Sequence, residues 1–149
     1  MSKPSVFSAL SAVAFSLLFL PSLSASERRL IETRQQEELA AALHAVKSAE
    51  ATFGAKDARL ADALMQLGEL HRQQGRPQPA EAAFVRAKDI RLAVFGPGSL
   101  EAADAVSDVG NLYLELRRFS EAEPFLKQAL TWLQIVHDEP DHPDRAGPG

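Results

Sequence analysis

Residues 53–68 (FGAKDARLADALMQLG) and residues 95–110 (FGPGSLEAADAVSDVG) resemble each other at a fixed offset of 42 residues. The same offset, without a gap, also pairs Leu70 with Leu112 and Ala87 with Ala129. In repeat proteins each copy is one structural unit that buries its apolar face against the next copy. The chain is therefore a tandem repeat, and one architecture has to serve both copies.

Both copies show the apolar spacing of two consecutive helices. In the second copy, apolar residues recur at three- and four-residue steps on both sides of Arg117. The first stripe comprises Ala102, Val106, Val109, Tyr113 and Leu116, and the second comprises Ala122, Phe125, Leu126, Ala129, Leu130, Leu133 and Val136. Ser120, with Glu123 three residues later, is the expected N-cap of the second helix. No stretch shows the strict alternation of a half-buried strand, so the sequence predicts an all-α fold.

Glycines indicate where helices end and where they approach each other. Gly75 and Gly96 follow helical stretches and are expected to end them. Gly68 and Gly110 lie inside predicted helices, where glycine costs about 1 kcal/mol relative to alanine. We therefore expect a neighbouring helix to approach closely at these two positions. The expected matching small surface comprises Ala80, Ala87, Ala122 and Ala129.

The spacing of these residues resembles that of tetratricopeptide repeats. The matching positions are Leu67, Gly68, His71, Ala80, Phe84 and Ala87 in the first copy and Val109, Gly110, Tyr113, Ala122, Leu126 and Ala129 in the second. The 42-residue period and the connectors FGPGSLEAA and EPDHPDRAG resemble the longer kinesin-light-chain type of this repeat. The resemblance implies a short α-solenoid of about five helices. For function, it implies only a protein-interaction scaffold.

The repeat divides the chain into five predicted parts. These are a signal peptide or N-terminal anchor at 1–25, a leading helix at 26–53, a first repeat at 54–95, a second repeat at 96–137 and a flexible tail at 138–149. Ser24 is a candidate N-cap for the leading helix, in the sequence SASE.

The first 25 residues have the layout of a secretory signal peptide. Lys3 precedes an uncharged apolar run from Val6 to Leu20, and a proline with small residues follows. Those fifteen residues would span about 22 Å as a helix, less than the ~30 Å hydrocarbon core of a membrane. We therefore expect a cleaved signal and an exported protein, periplasmic or secreted. An uncleaved anchor is the alternative, and only then would the protein contact a membrane.

The resemblance places a peptide-binding concave face on the first helix of each repeat. The predicted residues on this face are Asp62, Met65, Glu69, Arg72 and Gln73 in the first repeat and Asp104, Ser107, Asn111, Leu114 and Glu115 in the second. Members of the family often hold a bound backbone with an asparagine at the position of Asn111. The alternative is that these are ordinary solvated helix positions. The acidic balance of the face favours a basic peptide or one that is bound through its backbone.

The last helix is a second candidate interface. Lys88 and Arg91 of the first copy are replaced by Leu130 and Leu133 in the second, and Trp132 and Ile135 add to the apolar surface. Exposed apolar patches of this kind mark interaction sites. We expect this helix to bind a larger partner or a second copy of the chain, which would make the protein a self-assembling subunit.

Composition and motifs exclude several other functions. The chain has no cysteine and a net charge of −4 without a basic block, which argues against thiolate chemistry and nucleic-acid binding. None of the common nucleophile, zinc or phosphate-binding motifs is present. The ligand-rich tail (His137, Asp138, Glu139, Asp141, His142 and Asp144) makes a metal or small-ligand site the least favoured alternative. We therefore predict no enzyme activity, no cofactor and no bound metal.

Overall fold

Five consecutive helices make up the computed structural model, which describes residues 22–138. They are α1 (Ala25–Phe53), α2 (Ala58–Gln73), α3 (Pro77–Phe95), α4 (Leu100–Glu115) and α5 (Phe119–Asp138). Each helix packs against the next one in the chain, and α2 with α3 and α4 with α5 form the two closest pairs. No strand occurs within residues 22–138, so the predicted all-α class and helix number are confirmed. The predictions for residues 1–21 and 139–149 lie outside the described residues.

The core is a band of two apolar clusters that runs across the helices. The first cluster comprises Val46 and Ala49 of α1, Leu60, Ala61, Leu64 and Leu67 of α2, and Ala87 and Ile90 of α3. The second comprises Ala80 and Phe84 of α3, Val109, Leu112 and Tyr113 of α4, and Ala122 of α5. Met65 packs against both clusters. Because each cluster draws on three consecutive helices, burial couples every helix to its neighbours.

Gly68 and Gly110 allow close approach within each helix pair. A Cβ atom on Gly68 would lie 2.7 Å from the Phe84 ring, and one on Gly110 would lie 2.8 Å from the Leu126 side chain. The predicted close approach is thus present, but large side chains rather than alanines lie over the glycines. The four alanines of the expected small surface are buried as well.

The helix ends agree with the sequence in all but one case. Ser24 forms a capping box with Glu27 at the start of α1, and Gly96, at φ 85°, ends α3. The prediction that Ser120 caps the last helix is wrong, because α5 begins at Phe119 and Ser120 already lies in its first turn. The helix start follows Arg118, whose carbonyl accepts a hydrogen bond from the N–H of residue 122 at 3.0 Å.

The turn inside each pair has the same geometry in both repeats. Gly75 and Arg117 occupy the left-handed region, at φ 69° and 58°. The N–H of the following residue then bonds to a carbonyl of the preceding helix, Arg76 to His71 at 2.8 Å and Arg118 to Tyr113 at 2.9 Å. This 6→1 bond turns the chain back so that the second helix of the pair packs antiparallel to the first.

Candidate functional site

A cleft of about 360 Å³ lies at the surface formed by α2 and α4. It is lined by Glu69 and Arg72 of α2, Phe84 of α3, and Asp108, Asn111, Leu112, Leu114 and Glu115 of α4. The cleft brings together Glu69, Arg72, Asn111 and Glu115 from the predicted concave face, along with Leu114. These residues come from both repeats, so the stacking of the repeats creates the cleft.

Arg72 ties the two walls of the cleft together. Its Nε and Nη2 donate to the Glu69 carboxylate at 2.8 and 2.6 Å, and its Nη1 donates to Glu115 Oε1 at 2.7 Å. The guanidinium lowers the pKa of Glu69, and the two carboxylates raise the pKa of Arg72. Since Glu115 belongs to the other repeat, this contact crosses from α2 to α4.

Asp108 is a cleft residue that the sequence analysis missed. Burial raises the pKa of this carboxyl, and the positive charge of Arg91 opposes that rise. Asp108 follows Asp104 by four residues and precedes Asn111 by three, so it shares their face of α4. Applying the same helical spacing to the predicted face would have identified it.

Asn111 presents a free amide at the cleft. The residue is exposed, and within the described chain no group hydrogen-bonds to its side chain. An amide offers two N–H donors and one carbonyl acceptor. It can therefore pair with both the C=O and the N–H groups of an extended peptide backbone.

The other predicted concave residues are not part of the cleft lining. Asp62 is exposed and accepts a hydrogen bond from Arg91 Nη2 of α3 at 3.0 Å, and Met65 belongs to the edge of the core. Asp104 is exposed, while the Ser107 hydroxyl donates to the backbone carbonyl of Asp104 at 2.8 Å. Gln73 donates to Glu69 at 2.8 Å and supports the wall of the cleft.

The predicted interface residues of α5 differ in exposure. Leu130 is 58% exposed and Ile135 is 53% exposed, whereas Trp132 and Leu133 are half-buried. At the 42-residue offset, Trp132 takes the position of Ile90, which is buried in the core. Trp132 thus lies on the inner side of α5, and Leu130 is the residue that projects furthest into solvent at this surface.

Neither a cluster of metal ligands nor a helix able to span a membrane occurs within residues 22–138. No group of three or more potential metal ligands comes together there. None of the five helices is long and apolar enough to cross a membrane. The predicted ligand-rich tail beyond Asp138 lies outside the described residues.

The fold and the cleft define a class of protein built from stacked helix pairs with a groove across their first helices. Residues 59–134, about half of the chain, match the sequence model of the tetratricopeptide repeat. The chain belongs to this family, and its helices form a short solenoid of the family's type. Tetratricopeptide repeats are typically non-catalytic modules that bind other proteins or peptides. No curated protein sequence matches the chain.

Proposed function

We propose that the chain is an exported, non-catalytic adaptor that binds an extended peptide segment of a partner protein in the α2–α4 cleft. The observation that carries this proposal is the Asn111 amide, which is exposed and free of partners within the described chain. Asn111 lies in the cleft between the carboxylates of Asp108 and Glu115 on its own helix, with Glu69 of α2 also in the lining. A side-chain amide in this position binds a peptide through its backbone, whatever the sequence.

The charge of the cleft lining favours one class of peptide. The cleft is lined by the carboxylates of Glu69, Asp108 and Glu115 against the single guanidinium of Arg72. Arg72 already bonds to two of those carboxylates, so it has little capacity left for an acidic ligand. Complementary potentials favour a partner segment that carries lysine or arginine.

A comparison of two labelled peptides tests this proposal. Fluorescence anisotropy would measure binding of a lysine- and arginine-rich peptide and of a glutamate-rich peptide of the same length. We expect the basic peptide to bind and the acidic one to fail. Asn111→Ala should weaken binding by about tenfold, which corresponds to about 1.4 kcal/mol.

The matched control is Gln128→Ala, which removes an exposed amide from α5 instead. It should leave peptide binding unchanged. Equal binding of the two peptides, or equal losses in the two variants, would reject the cleft as the binding site.

Export is tested by expressing the full chain in a bacterium and measuring the molecular mass of the protein in each cell fraction by mass spectrometry. A mature protein in the periplasm or medium that begins within residues 25–27 would support cleavage after Ser24, Ala25 or Ser26. A full-length protein in the membrane fraction would instead support the N-terminal anchor. Full-length protein in the cytoplasm would reject both.

A further inference from the structure

The contact between the two repeats shows which face of a second helix is covered by the next repeat. Tyr113 of α4 donates its hydroxyl to Glu81 Oε1 of α3 at 2.7 Å, and Arg118 Nη1 donates to Glu81 Oε2 at 2.7 Å. One turn further along α3, Phe84 packs in the same cluster as Leu112 of α4. This part of the α4-facing side of α3, at Glu81 and Phe84, therefore combines one carboxylate with apolar packing.

The same face of α5 has no following helix over it within the described residues, although Leu126 packs over Gly110 and both Leu126 and Leu133 are half-buried. At the 42-residue offset, Glu81, Phe84, Lys88 and Arg91 of α3 correspond to Glu123, Leu126, Leu130 and Leu133 of α5. We call these four residues, with Phe119 at the start of the helix, the open face of α5. Phe119 is 59% and Leu130 is 58% exposed, and no helix follows α5 within the described residues.

The opposite end of the stack has no such surface. Helix α1 stands in the position of a second helix whose first helix is missing from residues 22–138. The α1 positions that correspond to the buried Ala80, Ala83, Ala87 and Ile90 of α3 are Glu38, Ala41, Ala45 and Ser48, and all four are exposed. Terminal units of repeat proteins need a polar outer face to stay soluble. The four α1 positions carry only small or polar side chains. The open face of α5 instead carries large apolar side chains, of which Phe119 and Leu130 are exposed.

We propose that the open face of α5 docks an amphipathic helix from another protein, with tyrosine and arginine near its C-terminal end that donate to Glu123. The docked helix repeats the α3–α4 contact one repeat further along the stack. Glu123 of α5 occupies the position at which Glu81 of α3 binds Tyr113 and Arg118. The chemistry of the docked helix follows from this correspondence. It is a different surface from the α2–α4 cleft.

One position distinguishes the docked helix from α4. In the α3–α4 contact, burial raises the pKa of Asp108, and the positive charge of Arg91, whose Nη2 bonds to Asp62, opposes that rise. The residue in place of Arg91 on α5 is Leu133, which cannot compensate a buried carboxylate. The docked helix therefore carries an apolar residue where α4 has Asp108.

The α2 and α4 helices of a second copy are poor occupants. In α4 the required pattern is complete and in α2 His71 replaces the tyrosine, but the apolar faces of both helices are already buried against α3 and α1. The sequence of residues 139–149 contains three prolines and no tyrosine, so it does not match the pattern of the docked helix. Lys127 now pairs with Glu123 on the α5 surface. Exposed pairs of this kind are weak, so incoming donors can replace it.

The test uses α4 itself as the probe. A labelled peptide with the sequence of residues 97–118 carries the donors of Tyr113 and Arg118. The peptide also carries Asn111→Lys, and a lactam bridge joins this lysine to Glu115. The bridge keeps the peptide helical in water, and both positions lie on the exposed side of α4. A second peptide also carries Asp108→Leu. Anisotropy titrations with the purified full chain should show that the Asp108→Leu peptide binds about tenfold more tightly than the other.

Two variants of the chain test whether this binding takes place on α5. Glu123→Gln should weaken binding of the Asp108→Leu peptide by about tenfold. Leu133→Arg restores the residue of α3, so it should reverse the preference in favour of the peptide that keeps Asp108. Circular dichroism and thermal unfolding would verify that both variants remain folded, as expected because Arg91 is accommodated at this position of α3.

Three results would overturn the proposal. The first is failure of both peptides to bind, and the second is an unchanged peptide preference in folded Leu133→Arg. The third is a dimer in sedimentation velocity that Leu130→Lys converts to a monomer, since the open face would then be occupied by a second copy.

Discussion

Arg117 adopts a left-handed backbone conformation that its counterpart Gly75 adopts without steric cost. This conformation costs a residue with a side chain about 1–2 kcal/mol. A glycine at the same place adds about 0.4–1 kcal/mol of entropy to the unfolded chain. We therefore expect Arg117→Gly to raise the free energy of unfolding by about 0.5–1 kcal/mol in urea titrations.

The reciprocal change provides the control. Gly75→Arg introduces the same strain into the first repeat and removes the glycine's entropy from the unfolded chain, so it should lower the free energy of unfolding by about 0.5–1 kcal/mol. Both sites are exposed, so packing contributes little to either change. A destabilised Arg117→Gly protein would show that the Arg117 side chain, and not its backbone, dominates this position.

His71 has a buried Nδ1 atom that lacks a hydrogen-bond partner in the described chain. Its counterpart Tyr113 donates to Glu81, but the residue of α1 that corresponds to Glu81 is Leu39. Leaving a buried polar atom unpaired costs about 1–3 kcal/mol. We expect His71→Phe to raise the free energy of unfolding by about 1 kcal/mol at pH 7.

The pH dependence of stability supplies a second readout at this residue. Burial lowers the pKa of His71 below its usual 6.5, with a smaller effect from Arg76. The unfolded chain therefore binds a proton at this site before the folded chain does, and stability is lost as the pH falls below 6.5 toward the folded-state pKa. His71→Phe should reduce that loss, whereas His44→Phe, at an exposed site of α1, should not.

At the scale of helices, Glu81 joins α3 to α4. The Arg118 guanidinium, followed by the Tyr113 hydroxyl, lowers the pKa of Glu81, while burial and this carboxylate raise the pKa of Tyr113 to about 12. We expect Glu81→Gln to lower the free energy of unfolding by about 1 kcal/mol at pH 7 in urea titrations. Because the folded-state pKa is depressed, this stabilisation is present above the unfolded pKa and disappears as the pH falls through the folded pKa.

Glu123→Gln is the matched control. Glu123 is the counterpart of Glu81 on α5, but it contacts no following helix within the described residues. It should leave the stability of the isolated chain unchanged. If both substitutions had the same effect, the helix-to-helix contact at Glu81 would not be the source of the stabilisation.

The sequence predicted the helices well because their apolar spacing is a local feature and the 42-residue offset can be read directly by comparing the two copies. The start of α5 was mispredicted because the capping motif at Ser120 competes with a turn that already begins the helix after Arg118. The link from Arg72 to Glu115 could not be predicted, since it depends on where two long side chains extend once the repeats have packed. Asp108 could have been predicted, because its place on the helical face follows from spacing alone.

At the scale of the whole molecule, the stack has two unlike ends. Stability in a repeat protein is close to a sum of the units and the interfaces between neighbours. Helix α1 supplies Val46 and Ala49 to the first core cluster, and α5 supplies Ala122 to the second. An end helix is therefore stabilised from one side only, which makes the ends the most informative places to shorten the chain.

Residues 25–34 of α1 extend beyond the register of α3, whose first residue, Pro77, corresponds to Gln35. None of these ten residues is buried, whereas the rest of α1 covers the apolar side of α2. We expect a chain that begins at residue 34 to lose less than about 1 kcal/mol of unfolding free energy, since no core side chain is removed. A chain that begins at residue 54 should lose at least about 3 kcal/mol, because Val46, Ala49 and the packing over Leu64 are lost.

A chain that begins at residue 27 is one of the expected products of signal-peptide cleavage, and it belongs in the same truncation series. Cleavage after Ser26 removes the Ser24 cap from α1, and loss of such a cap costs about 1 kcal/mol. Because this cost falls on a segment that contributes nothing to the core, unfolding in urea should give nearly equal values for chains that begin at 27 and at 34. A chain beginning at 34 that is as unstable as the one beginning at 54 would contradict this, and would mean that the exposed first turns of α1 hold the rest of the helix in place.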